Sequence, residues 1–392
     1  MSFMLTEFEN TRIAFEYRSD KELKHARFLF SSMSSSALTK VGMKLTSLAI
    51  ALRLPVNGII KHTLFDHFCG GETMEEAAGT AAMLGKYGIG TILDYGVEGK
   101  ESEEDFDKAV PEFIKAIEYA ASSKNIPFIS LKLTGFAYFA LLEKIHSRQT
   151  LTADEEAAWK RVYGRIDSIC KAAATNNIMV LVDAEESWIQ LPVDELTNAM
   201  MERYNKTRVI VYNTFQMYRH DRLVYLEESY RDARSKGYLL GAKLVRGAYM
   251  EKERVRAAAM NYPSPIQPNK EATDKDYDEA TLFCLERLDG LALFVGTHNE
   301  ASCLKVAKYM LDNKINGDTD RVYFSQLYGM SDNISFNLSY LGYRVAKYLP
   351  YGPVKDVLPY LMRRAQENTS VAGQTGRELL LINKEIRRRK VD

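Results

Sequence analysis

Cysteine is scarce: four in 392 residues, at Cys69, Cys170, Cys284 and Cys303, with no CxxC spacing. So scattered a set offers neither a disulfide frame nor a zinc site. It reads as reduced, mostly buried thiols of a cytosolic protein. Net charge is missing as well, with 52 Lys+Arg against 52 Asp+Glu. Without a basic surplus the chain has no bulk charge with which to grip a phosphate backbone, so nucleic acid is not an expected partner. No stretch approaches the ~20 consecutive apolar residues of a membrane-spanning helix. Residues 1–30 carry acids early and hold no long apolar run, unlike a secretory signal or a basic transit sequence. Linkers rich in Gly, Ser and Pro are absent, as are low-complexity tracts. One domain is expected, in the cytoplasm or resting on the inner face of a membrane.

What is present is alternation. Short β-rich runs occur at HTLFDHFC (62–69), GIGTILDY (88–95), PFISLKL (127–133), NIMVLVDA (177–184), TRVIVYNT (207–214), YLLGAKLVRG (238–247), LALFVGTHN (291–299) and DRVYFSQLYG (320–329). Between them lie segments such as EEDFDKAVPEFIKAIEYAASS and TADEEAAWKRVYGRIDSICKAAAT, whose apolar residues recur at three- and four-residue intervals. Thr152 followed by Glu155 opens the second with a capping box. Strands alternating with helices pair in parallel through right-handed crossovers, and eight such units fit a closed (β/α)8 barrel of TIM type. No GxGxxG turn follows any strand, against a dinucleotide-type open sheet. The expected organisation is a helical arm over residues 1–60, the barrel over 61–372 and a helical tail over 373–392. The arm, which includes ALTKVGMKLTSLAIALRLP, is expected to cover the barrel or to contact another subunit of a homo-oligomer.

In a barrel, polar residues at the C-terminal strand ends belong to the active site. Lys132, Asp183, Gln216, Thr297, His298 and Gln326 stand at or near such ends. One alone is as readily a structural polar group; several at matching ends are harder to dismiss, because uncompensated buried charge is expensive. Near the C-terminus, YGPVKDVLPYLMRRAQENTS reads as a helix from Pro359 onward, with Tyr360, Arg363, Arg364 and Glu367 at i, i+3, i+4 and i+7, on one face. By pattern alone that stripe is a solvated surface with an Arg363–Glu367 pair. Its chemistry points elsewhere: two adjacent guanidiniums form a planar donor array suited to one carboxylate. In GAKLVRGAYMEKER a strand ending in Lys243, Leu244, Val245 and Arg246 runs into Gly247 and Ala248, small residues that admit a large flat ligand. From Tyr249 towards Thr273 runs a long connection containing NYPSPIQPNK, too proline-rich for continuous helix.

With these residues on the page, the sequence resembles the flavin-dependent proline dehydrogenases over residues 60–372. The likeness is densest in FCGGET, SLKLT, LVDAEE, AKLVRGAY, GTHNEAS, SQLYGM and KYLPYGPVKDVLPYLMRRAQENTS. KLVRGAYMEKER and YPSPIQPNKEAT look most like the single-function, eukaryote-like branch, with no room for a fused aldehyde dehydrogenase domain. The resemblance implies FAD as cofactor, L-proline as substrate, Δ1-pyrroline-5-carboxylate as product by hydride transfer to flavin N5, and a membrane quinone as electron acceptor. It implies that Arg363, Arg364 and Lys132 hold the substrate carboxylate, that Tyr360 and Leu244 line the ring pocket, and that Glu367 braces the arginines. Asp183 corresponds to the family's active-site aspartate, and Tyr348 to a tyrosine beside the substrate ring that favours proline over hydroxyproline. Gln216, Lys243, Val245, Arg246, Gly247, Ala248, Thr297, His298 and Gln326 would cradle the flavin. Lys243 stands where many bacterial members have arginine, and Gln326 sits one place nearer its glycine than in those members. Rival readings are a flavin-dependent hydroxyproline dehydrogenase and a non-catalytic barrel that binds proline or flavin. The basic run Arg387–Lys390 offers contact with an anionic membrane, against the plainer reading of a solvated, frayed tail.

Overall fold

The computed structural model describes residues 8–33, 61–96, 101–370 and 374–390. Eight parallel strands close into a barrel in sequence order: β1 (Ile89–Tyr95), β2 (Phe128–Lys132), β3 (Met179–Asp183), β4 (Val211–Gln216), β5 (Leu240–Val245), β6 (Leu291–Gly296), β7 (Val322–Leu327) and β8 (Val345–Tyr351). Period-two alternation divides each strand between two environments. Ile92, Phe128, Leu181, Tyr212, Phe294, Tyr323 and Ala346 fill the interior. There the Phe128 ring meets Phe294 and Tyr323 edge-on, with centroids 5.1 and 4.8 Å apart. The opposite faces, among them Ile129, Val180, Val211, Leu240 and Leu293, pack under the helices. The Ala153–Asn176 helix carries the expected capping box, Thr152 with Glu155. All four cysteines are buried and free.

The sequence runs named eight strands, and one of them is wrong. HTLFDHFC is helical, a π turn over Lys61–Phe65 running into Asp66–Phe68. Its aromatic residues do not alternate between two faces; Phe65 and Phe68 instead sink together into a cluster with Phe15, Phe30, Leu361 and Leu381. The eighth strand is β8, which pairs with β1 and β7 and closes the ring. Lys347 and Pro350 disguise it. Lys347 points out of the barrel, fully buried, with its ammonium 2.9 Å from the Asp332 carboxylate. Pro350 lies at the strand's C-terminal end, where its carbonyl still accepts the Gly70 N–H at 2.8 Å.

Two other expectations change. The helix read from Pro359 begins at Val354 and contains that proline. The connection after Tyr249 is a helix, Met250–Met260, ended by Asn261 at φ 55° and followed by the Lys270–Leu285 helix. NYPSPIQPNK supplies only the turn between them. At the N-terminus, Thr11–Phe15 and Asp20–Met33 are helical and pack with Gln374–Arg389. ALTKVGMKLTSLAIALRLP lies outside the described residues. Among the described residues no helix is long and apolar enough to cross a membrane.

Candidate active site

Because the strands run in parallel, their C-terminal ends gather at one mouth. Lys132 and Asp183 are register partners at the ends of β2 and β3. The Asp183 carboxylate is the hub: Oδ1 accepts from Lys243 Nζ at 2.5 Å, Oδ2 accepts from the Tyr348 hydroxyl at 2.5 Å, and Lys132 Nζ stands 3.8 Å away. The Lys243 ammonium also lies 5.1 Å from the Tyr348 ring centroid. Burial would raise the Asp183 pKa, but the charges of Lys243 and Lys132 outweigh it and hold the carboxyl below its ordinary range. Burial and the neighbouring carboxylate keep the Tyr348 hydroxyl protonated. Leu244 is a correction. Strand alternation turns it to the opposite face of β5 from Lys243, fully buried among the residues beneath the helices, and not into the pocket.

Sequence reasoning missed two groups here. Glu185, two residues beyond Asp183 in LVDAEE, accepts from Thr134 N–H at 3.2 Å and from its hydroxyl at 2.6 Å. Burial pushes its pKa up to about 7 against those bonds and the charge of Lys132. Tyr249 lies within electrostatic reach of Glu185, Lys132 and Arg363, and burial raises its pKa. The signal for it was available, since Tyr249 is the next residue of the same GAY run.

Above the mouth runs the Val354–Ser370 helix. The solvated-face reading of its stripe fails: Tyr360 is 8% and Arg364 7% exposed, and Arg363 is half-buried. The Arg364 guanidinium lies 5.2 Å from the Tyr360 ring centroid. A cleft under this helix is lined by Asp94, Tyr95, Leu131, Lys132, Phe136 and Tyr360. The charge of Arg363 is felt at Tyr249, after β5, and that of Arg364 at His298, after β6. The side chain of Glu367 lies outside the described residues.

The remaining candidates line the β4–β7 side. Gln216 is buried, its Nε2 donating to Glu185 O at 2.8 Å. Val245 is half-buried, while Gly247 and Ala248 are exposed. Gly247 adopts φ +135°, and a Cβ there would come within 2.5 Å of the Tyr218 ring, so only glycine fits. Arg246 is turned outward: its guanidinium pairs with Asp274 at 2.7 Å, donates to Thr297 Oγ1 at 2.6 Å and Ser302 Oγ at 3.0 Å, and lies 4.3 Å from the Tyr277 ring centroid. Gln326 is held at both ends, donating to Thr297 O at 2.9 Å and accepting from Ser335 Oγ at 2.8 Å. His298 Nε2 accepts the Leu327 N–H at 3.4 Å, which puts its proton on Nδ1, 2.9 Å from Ser331 Oγ. Burial, then the charges of Lys347, Arg364 and Arg246, hold its pKa down to about 3, so the ring is neutral.

Comparison with known proteins converges on one family. The family profile described as "Proline dehydrogenase" matches residues 77–377. A carbapenem antibiotics biosynthesis protein, CarD, of Pectobacterium carotovorum is 37% identical over 325 residues, 83% of this chain and 84% of that one. Mitochondrial proline dehydrogenase 1 of Dictyostelium discoideum is 33% identical, covering 87% of this chain and 67% of its own. A hydroxyproline dehydrogenase of Xenopus laevis is 31% identical, with coverages of 96% and 88%. Among solved structures, proline utilization A of Bdellovibrio bacteriovorus, inactivated by N-propargylglycine, superposes with a TM-score of 0.71 over 92% of this chain. At 20% identity that likeness speaks for the fold alone, and this chain spans 38% of the longer protein. From the match over 77–377 and the long alignments to relatives of that name, the chain belongs to the proline dehydrogenase family.

Proposed function

We propose that the protein oxidises L-proline to Δ1-pyrroline-5-carboxylate with FAD as resident cofactor and a membrane quinone as electron acceptor, met from the cytoplasmic face. The observation that carries this reading is the arginine pair, drawn off the surface and over a mouth that already holds Lys132, Asp183 and Tyr348. A fixed anionic group such as a substrate carboxylate suits a paired guanidinium fork. Fixing it there sets the ring's orientation, which can remove several kcal/mol of barrier.

The residues fit a flavin. Exposed Gly247 and Ala248 leave main chain unshielded at the mouth, and the Gly247 geometry admits no side chain. Val245 and Gln216 lie beside them as register partners. Thr297 and a neutral His298 face the same side, with Gln326 setting the Thr297 carbonyl and Arg246 its hydroxyl. Lys243 supplies a buried cation next to Asp183. A bound flavin supplies the two-electron acceptor that no side chain offers.

The protein's own part is orientation and electrostatics. Arg363, Arg364 and Lys132 bind the carboxylate; Tyr348 and Tyr360 bound the ring; ionised Asp183 keeps the two lysines and the Tyr348 hydroxyl in place. C–H cleavage beside nitrogen needs the amine lone pair, and bulk proline is mostly protonated at neutral pH, so the rate should rise with pH. Tyr348 favours proline over hydroxyproline, the substrate named for the Xenopus relative. Purified protein should be yellow and bleach on anaerobic addition of L-proline, and hydroxyproline should bleach it more slowly. A colourless protein that binds proline would overturn the reading in favour of a non-catalytic barrel. Faster bleaching by hydroxyproline would replace the substrate.

A further inference from the structure

Glu253 is the odd residue of the Met250–Met260 helix, a carboxylate with 0% exposure and no role in the chemistry above. Burying such a group is costly unless its oxygens are satisfied. Here they accept the Ser187 N–H at 2.6 Å and the Ser187 hydroxyl at 2.6 Å. Ser187 opens the one-turn Ser187–Ile189 segment that follows Asp183, Glu185 and Glu186. Flanking contacts follow the same line. Lys252 pairs with Glu186 at 2.9 Å, Arg256 pairs with Glu143, and the Arg256 guanidinium lies 4.5 Å from the Trp188 ring centroid. Lys252 is largely exposed, and an ion pair of that kind contributes little. The buried carboxylate is the firm member of the set. On its own helix, the Glu253 N–H donates at 2.9 Å to the carbonyl of Tyr249, the residue whose phenol lies within electrostatic reach of Lys132, Glu185 and Arg363.

We infer that Glu253 is a positioning residue for the substrate pocket: through Ser187 it clamps the segment after β3 to the helix after β5, fixing Asp183 and Glu185 relative to Tyr249. This rests on the proline-oxidising reading of the mouth. Its consequence is specific, because a clamp between two pocket walls governs how well proline is held more than how fast the held molecule reacts.

Trp188 sits in the clamp and is one of two tryptophans in the chain, so a Trp159→Phe background makes it a local fluorescent reporter. In that background, Glu253→Ala should make Trp188 clearly more accessible to acrylamide. It should also raise KM for proline about tenfold, the loss of one charge-assisted hydrogen-bond pair, with kcat changed less than about threefold. Glu253→Gln keeps one acceptor and should recover most of the KM. If Glu253→Ala does not fold, Ser187→Ala, which deletes one of the two donors, should shift both readouts in the same direction by a smaller factor. Unaltered Trp188 quenching in the folded variant overturns the clamp, as does a fall in kcat with KM unchanged. A parent protein that proline does not reduce defeats the functional reading, while the quenching comparison still decides whether the clamp exists.

Discussion

Asp183 shows how one side chain's setting becomes chemistry. A carboxyl so buried should resist ionisation, yet the lysines Lys243 of β5 and Lys132 of β2 reverse the balance, and the Tyr348 hydroxyl takes the remaining oxygen. Tyr348 is thereby pinned beside Asp183 and Lys243 at the barrel mouth. Replacing it with Ser opens space for a hydroxyl and its water and frees one Asp183 oxygen, so the ratio of kcat/KM for proline over hydroxyproline should fall by about tenfold or more. Parallel steady-state assays on both imino acids check this, and an unchanged ratio contradicts it. Much of this layer was legible: Lys132, Asp183, Gln216, Thr297, His298 and Gln326 all stand at or next to strand ends, where the barrel's geometry puts function. Leu244 was misplaced because a motif names neighbours without their faces, and strand alternation sends adjacent residues in opposite directions. Glu185's shifted pKa was not legible at all, since it arises from burial that no local pattern encodes.

At the scale of elements, alternation with caps identified most of the barrel, and aromatic content misled it once. HTLFDHFC has strand-forming residues, but its partners are the terminal helices, which only the tertiary fold supplies. β8 was hidden because its buried Lys347 is answered by Asp332, at the start of the preceding Asp332–Tyr340 helix, a pairing that a strand-by-strand reading does not join. The same neighbourhood holds Glu378 of the Gln374–Arg389 helix, whose carboxylate accepts the Ser331 N–H. Burial first, then Asp332, push its pKa up to about 7 from an ordinary 4.5. Between those values the fold holds a proton that the unfolded chain has released, so Glu378 lowers stability as pH rises from about 4.5 to about 7. His298, held down to about 3, acts in the opposite sense below its ordinary 6.5, so the comparison must be between variant and parent. Relative to the parent, Glu378→Gln should gain stability steadily as pH rises from about 4.5 to about 7, then hold that gain. Urea denaturation across that range measures it; a difference that does not vary with pH would contradict it.

At the scale of the whole molecule, the Thr11–Phe15 and Asp20–Met33 helices meet the Gln374–Arg389 helix. Arg389 pairs with Glu385 at 2.7 Å and Asp20 at 3.0 Å, and donates to Phe15 O at 2.7 Å and Arg18 O at 2.8 Å. Glu385 is fully buried and also holds Arg388. The described tail is therefore tied down as far as Arg389, while Arg387, Arg388 and Lys390 of its basic run stay exposed. Arg389→Ala should cost about 1–3 kcal/mol of stability by leaving Glu385 and two carbonyls short of donors; an unchanged denaturation midpoint would contradict that. The apolar cluster of Phe15, Phe30, Leu361 and Leu381 seats the Val354–Ser370 helix, which carries Arg363 and Arg364. Sequence pattern alone favoured solvent for that stripe, because which side of a helix is covered depends on what the rest of the molecule lays against it. The most direct test is stopped-flow anaerobic reduction by L-proline in the parent, Arg363→Met and Arg364→Met. Each variant should lose roughly 2–5 kcal/mol in the apparent second-order rate constant, as for one partner of a desolvated charge contact. Rate constants equal to the parent's in both variants would show that the carboxylate is not anchored there.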